Sequence, residues 1–172
     1  ASLAWQPEIK LAIADGEVNL GDYTMVDWLL GDQSSGDQSL TEREQEAINA
    51  YLFAGGALLI SGSELAYDLS SGSATDRAFL GDTLTAGFVA DRASGATLVG
   101  EAAFANLSLS FGGAGAAYPE DYPDALSARG SEVVLRYADG QAAGLSYEGR
   151  FGSSTEPSAS FVLGLPFETI DT

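Results

Sequence analysis

The stretch "ISGSELAYDL" sets Ser61 and Ser63 on either side of Gly62, with Glu64 and Asp68 close behind. A serine at a turn between an apolar run and a helix-like segment has the outline of a nucleophile elbow. Such a serine needs a base beside it, and Glu64 and Asp68 are the carboxylates nearest in sequence. A working elbow also requires small residues two positions to each side, as in G-x-S-x-G. Ser61 and Leu65 stand there, so the pattern fails. The chain has neither histidine nor cysteine, which excludes a Ser-His-Asp triad, a thiol nucleophile, disulfides and thiolate or imidazole metal sites. Ser63, Glu64 and Asp68 are therefore read as a vestigial catalytic set, and the other reading is a tight turn whose hydroxyls cap the next helix.

Oxygen ligands in the same region raise a second chemistry. In open α/β sheets ligands gather at the carboxyl ends of the strands, where this sequence places Asp32, Gln33, Ser61, Ser63, Glu64 and Asp68. Asp32, Glu64 and Asp68 are candidate ligands for a hard cation such as Ca²⁺, although their spacing is not that of an EF-hand loop. Any two of the 25 acidic residues could also serve a glycosidase or lyase as a carboxylate pair. Trp5, Tyr67, Tyr118 and Tyr122 are candidates for a sugar-stacking platform, with packing onto the fold as the competing reading.

The elements that would position these residues follow from local pattern. Residues 2–18 read as helix, with apolar positions at Leu3, Ile9, Leu11, Ile13 and Val18. "YTMVDWLL" is rich in β-formers and ends at Gly31, so it reads as a buried strand opening into a polar loop. "SLTEREQEAINAYLFAGG" is the clearest helix. Ser39 or Thr41 can cap it, Glu42 and Glu44 suit the positive end of its dipole, Ala47, Ile48 and Leu52 share a face, and Gly55-Gly56 stops it. "ALLIS" then reads as an inner strand, completing a strand–helix–strand unit of a parallel sheet. Further on, "SATDRAFLGDTL" predicts a short helix and "GFVAD" a brief extended segment. "ATLVGE", "LSLSF", "EVVLRYADGQAAGLSYEG" and "SASFVLGL" predict strands, with a hairpin at Asp139-Gly140. "GGAGAAYPEDYPD" predicts a loop lying over the sheet.

Composition narrows the class. With 172 residues and 45% hydrophobic content the chain suits one folded domain, residues 1–172. The formal net charge is −18, from 25 acidic and 7 basic residues, and Lys10 is the only lysine. Such a field repels phosphate backbones and anionic lipid, which argues against nucleic-acid partners and membrane-surface binding. No apolar run reaches the roughly 18 residues that a bilayer span needs, so membrane insertion is not expected.

"DYTMVDWLLGDQS", "TEREQEAINAYLFAGGALLISGSELAYDL", "DRAFLGDTLTAGFVAD" and "VLGLPFETI" together resemble the class I glutamine amidotransferase-like, flavodoxin-like domain of secreted bacterial proteins associated with golvesin and xanthan lyase. The resemblance implies an α/β fold, a mostly parallel sheet flanked by helices, with a β-rich C-terminal extension. It implies a domain lacking its first strand, because such domains open with a strand ahead of the first helix. An open edge there could accept a strand from another copy or a sibling domain of a parent protein. Amidotransferases carry a catalytic Cys at the elbow and recruit a His, and both are absent here. The expectation is a non-catalytic extracellular or cell-surface module, structural, assembling or glycan-associated, and more an accessory than an enzyme. The alternative is a hydrolase or lyase acting on polysaccharide or peptidoglycan.

Overall fold

The computed structural model describes residues 12–13, 15–33, 36 and 38–171. Most of the helix expected over 2–18, with Trp5, lies outside them. The first strand, β1 (Val26–Leu29), is followed by helix α1 (Glu42–Phe53), β2 (Ala57–Ser61), α2 (Leu65–Ser71) and α3 (Ala74–Ala78). A π-turn at Phe79–Thr83 leads into β3 (Ala86–Ala90), β4 (Thr97–Gly100), β5 (Ser108–Ser110), β6 (Ala125–Ala128), β7 (Glu132–Tyr137), β8 (Ala142–Gly149) and β9 (Ser158–Leu163).

Local chemistry explains why α1 forms where it does. Thr41 makes a capping box: the Thr41 N–H donates to Glu44 Oε2 at 2.7 Å, and the Glu44 N–H donates to Thr41 Oγ1 at 3.3 Å. Ile48 and Leu52, one turn apart, are fully buried against the sheet. Past the helix end, the Gly55 N–H closes on the Leu52 carbonyl and the Gly56 N–H on that of Tyr51. The Tyr51 hydroxyl sits between the carbonyls of Tyr23 and Ala57 and accepts the Ala57 N–H at 3.2 Å, tying α1 to the start of both β1 and β2.

The sheet corrects the expected architecture. Its strand order is β1-β2-β9-β8-β7-β4-β5, with β6 branching from β8 and carrying β3. Only β1, β2 and β9 run parallel. Pairings β9–β8, β8–β7, β7–β4, β4–β5, β8–β6 and β6–β3 are antiparallel. A mixed, mostly antiparallel sheet replaces the mostly parallel, flavodoxin-like sheet with a β-rich extension. The reason is the length of the connections. A parallel pair needs a crossover of a dozen or more residues, and 30–56, which contains α1, provides one between β1 and β2. The Asp139-Gly140 turn is too short for anything but a hairpin, and Gly140 takes the positive φ of 88° that this turn requires.

Strand alternation divides the core in two. Val162 of β9 joins Trp28, Leu58, Ile60, Ile48 and Leu52 in the cluster beneath α1. Its neighbour Leu163 joins Leu98, Phe111, Leu135 and Tyr137 in a second cluster. β6 goes unpredicted because "ALSA" is short and poor in β-formers. Its place is set by burial of Ala125 and Leu126 rather than by propensity.

Candidate functional site

The turn after β2 is built by close approach. A Cβ at Gly62 would lie 2.9 Å from Leu30 Cβ, so only glycine lets the chain leaving β2 pass the end of β1. The Ser63 N–H donates to the Gly31 carbonyl at 3.2 Å, and the Leu30 N–H to the Ser61 carbonyl at 2.9 Å. Ser61 and Ser63 are thereby fixed at the carboxyl end of the parallel strands, both buried.

The loop 112–124 closes over this end. It is pinned by the Gly112 N–H on the Thr169 carbonyl, the Ala117 N–H on that of Glu168 and the Asp124 N–H on that of Gly164. The Ser63 hydroxyl lies 2.6 Å from Glu120 Oε1, to which it donates, and 3.3 Å from the Tyr122 carbonyl. The Tyr122 N–H also donates to Glu120 Oε1, at 2.8 Å. Beside it, the Tyr118 hydroxyl donates to Glu168 Oε1 at 2.8 Å. The second oxygens of Glu120 and Glu168 are buried without a hydrogen-bond partner among the described residues.

Helix α2 is capped from this same loop. Its N-cap residue, Glu64, makes no side-chain cap. Instead Asp124 Oδ2 accepts the Ala66 N–H at 2.7 Å and the Tyr67 N–H at 3.1 Å. A carboxylate bound to the free N–H groups of a helix start is a favourable arrangement. Asp124 is fully buried all the same, and its Oδ1 has no partner among the described residues.

Burial dominates the electrostatics. It pushes the Asp124 carboxyl up to about 8, against the pull of the Ala66 and Tyr67 N–H groups and with help from the charges of Asp91 and Glu64. Burial also raises Glu120, where the Ser63 and Tyr122 hydrogen bonds oppose it and Asp32 and Asp121 add to it. The Tyr118 hydroxyl is raised far above its usual range by burial and by Glu168, Asp32 and Glu120. Burial thus makes this a corner where the carboxyls hold their protons more readily than in water.

The expected site residues are thus only partly brought together. Ser63 and Asp32 belong to the corner. Asp68 does not act on Ser63, because its Oδ2 accepts the Ser39 N–H at 2.8 Å and ties α2 to the residues before α1. The carboxylate that meets Ser63 is Glu120, not Glu64 or Asp68. The hydroxyl of Ser63 faces the loop and caps no helix. Asp32, Glu64 and Asp68 form no group able to hold a metal ion among the described residues. The aromatic platform is also dispersed: Tyr67 packs edge-on against Phe88, Tyr118 is bonded to Glu168, and Arg92 lies 4.2 Å above the Tyr122 ring. Glu120 and Asp124, missed by sequence reasoning, directly follow Pro119 and Pro123 in "YPEDYPD". Two rigid φ angles beside carboxylates were the available signal.

Comparison with known proteins supplies a fold. Among the similar solved structures are β-galactosidases. That from Bacillus circulans sp. alkalophilus aligns at TM-score 0.56 and 14% identity, over 99% of this chain and 26% of its own. That from Rahnella sp. R3 aligns at TM-score 0.54 and 14% identity, over 89% of this chain and 23% of its own. A catalytic mutant of a GH42 β-galactosidase from G. stearothermophilus aligns at 0.53 and 15%, over 86% of this chain and 20% of its own. The chain therefore spans about a fifth to a quarter of the length of the proteins whose fold it shares. No family model and no curated protein matches it. The resemblance to a glutamine amidotransferase-like domain is corrected on both counts, by the mixed sheet and by neighbours that are glycoside hydrolases.

Proposed function

We propose that this chain is a non-catalytic structural module that works beside a carbohydrate-active domain at or outside the cell surface. Its support is the way one loop consumes the groups that catalysis would need. An acyl-transfer elbow works through a free nucleophile and free backbone N–H donors for the developing oxyanion. Here the Ser63 hydroxyl is given to Glu120, the Ser63 N–H to Gly31, and the first donors of α2 to Asp124. The loop carboxylates thus take up these donors from within the chain. A net charge of −18 suits a well-solvated surface in an aqueous setting.

A second reading, hydrolysis or elimination on a polysaccharide, is favoured by one contact. Glu120 lies at proton-transfer distance from Ser63 and has a raised carboxyl, as a general base or acid would. Incubation of the chain with aryl glycosides, uronate polysaccharides, peptidoglycan fragments and aryl esters separates the two. The structural reading expects no turnover above background. Turnover that falls at least about a hundredfold in both Glu120→Gln and Ser63→Ala, a typical general-base loss, would overturn it.

A further inference from the structure

Strands β1, β2 and β9 are apolar almost without interruption, in "VDWLL", "ALLIS" and "SFVLGL". Parallel strands with this pattern are normally covered on both faces. One face is covered: Trp28, Leu58, Ile60 and Val162 lie in the cluster beneath α1. On the other, register aligns Asp27, Leu59, Phe161 and Ser146 in one row and Leu29, Ser61, Leu163 and Gly144 in the next. A groove of about 370 Å³ opens over these rows, walled by Phe104 and Leu107 on one side and by Met25 and Phe167 on the other. Phe104 packs edge-on against Phe161 at 5.8 Å between ring centres and so belongs to the wall. Met25 is 66% exposed, Phe167 45%, and Phe104 and Leu107 38% each. Apolar surface gathered in one concave place marks a contact site.

The rim has one sign of charge on the same side of the strands. Asp27 alternates with the buried Trp28 and therefore points to the open face. Glu148 stands opposite Ala159, and Glu132 opposite Ser146, both facing the same way. Burial, with the charge of Glu168 adding to it, holds the Asp27 carboxyl above its usual range.

We propose that this groove docks an amphipathic helix with a basic flank, its apolar face on Leu59, Phe161 and Phe104 and its Lys or Arg residues over Asp27 and Glu148. A helix is the element that covers the second face of parallel strands, and a basic one turns the repulsion between the carboxylates into attraction. A second copy of the chain would instead bring a rim of the same sign against Asp27 and Glu148, between molecules each of net charge −18. The proposal deepens the structural reading above and rests on it.

The test titrates the chain with three synthetic peptides of about 18 residues, five turns of helix. One has leucine at helical spacing and lysine elsewhere, one is its scrambled form of equal composition, and one has glutamate in place of lysine. Binding is read by calorimetry and peptide helicity by circular dichroism. The amphipathic lysine peptide is expected to bind at least about tenfold tighter than the scrambled one, about 1.4 kcal/mol, and to become helical. Met25→Glu, an exposed change that leaves the core intact, should weaken it about tenfold, whereas Val89→Glu, on exposed β3, should not. Equal binding of the scrambled peptide, or equal loss in the two variants, overturns the proposal by reducing the effect to net charge. Dimerisation in sedimentation that Met25→Glu abolishes, with no peptide binding, overturns it in favour of a second copy. Absence of any binding also overturns it, while leaving the structural module standing unless glycan turnover dependent on Glu120 is found as well.

Discussion

The Ser63 hydroxyl gives its hydrogen to Glu120, and in doing so satisfies a carboxylate that burial already disfavours. Ser63→Ala leaves Glu120 Oε1 with the Tyr122 N–H alone. The expected loss is about 1–2 kcal/mol of stability, read by urea unfolding, with no change in any turnover. Asp124 predicts a pH dependence. In the unfolded chain its carboxyl ionises near 3.8 and in the folded chain near 8. Between those values the folded state retains a proton that the unfolded state has released, so stability falls as pH rises from about 4 to about 8 and then levels. Asp124→Asn keeps an oxygen for the Ala66 and Tyr67 N–H groups but removes the titration. Urea midpoints measured across that window should therefore slope down in the parent and lie flatter in the variant. Asp76 and Asp139 act with the opposite sign. Burial favours the neutral form of Asp76, but bonds from Gln45 and Ser73 and the charge of Arg77 outweigh it and lower the carboxyl. Asp139 is lowered by the Gln141 side chain and N–H. Their contributions are present above about 3.8 and are lost as pH falls through their folded values, which gives a separate acid limb. At this scale sequence showed Ser63 and Asp32, because both stand next to strand ends. It hid Glu120 and Asp124, whose partners lie 57 and 58 residues away.

Among the elements, α1 was legible in full because its determinants are local: a cap, acids in the first turn, two buried positions one turn apart and a glycine stop. Thr41→Ala should remove the hydroxyl that accepts the Glu44 N–H, leaving the backbone arm of the capping box, and cost about 1 kcal/mol. Ile48→Ala should open a cavity beneath the helix and cost about 2–5 kcal/mol. Chemical denaturation of the two variants would give this order, and the reverse order would mean that α1 is held by its cap rather than by the core. The turn after β2 was legible as a turn but misread in its bonding. Helix α2 is seven residues long and has no cap of its own, so a residue far along the chain supplies it. The π-turn at Phe79–Thr83 extends α3 just far enough to bury Phe79 and Leu80, as the apolar spacing of "RAFLGDTL" predicted.

For the whole molecule, the excess of carboxylates sets a salt response. At about 0.01 M salt, charges interact over roughly 30 Å, and at about 0.1 M over roughly 10 Å. Mutual repulsion among the acids should therefore weaken across that range and the thermal midpoint rise. A midpoint independent of salt would show that the folded and unfolded chains repel themselves equally. The amino-acid sequence by itself determined the charge, the exclusion of thiol and imidazole chemistry, the α1 unit between β1 and β2, and the Asp139-Gly140 hairpin. Each of these is composition or short-range backbone preference. Only the tertiary structure decided that three strands are parallel and the rest antiparallel, that one proline-bearing loop fills the strand ends, and that a groove is left on the second face of β1, β2 and β9. Strand direction depends on which segments meet across the sheet, and burial of a carboxyl depends on what closes over it. Both are fixed by packing between residues far apart in the chain, which residue-by-residue propensity does not encode.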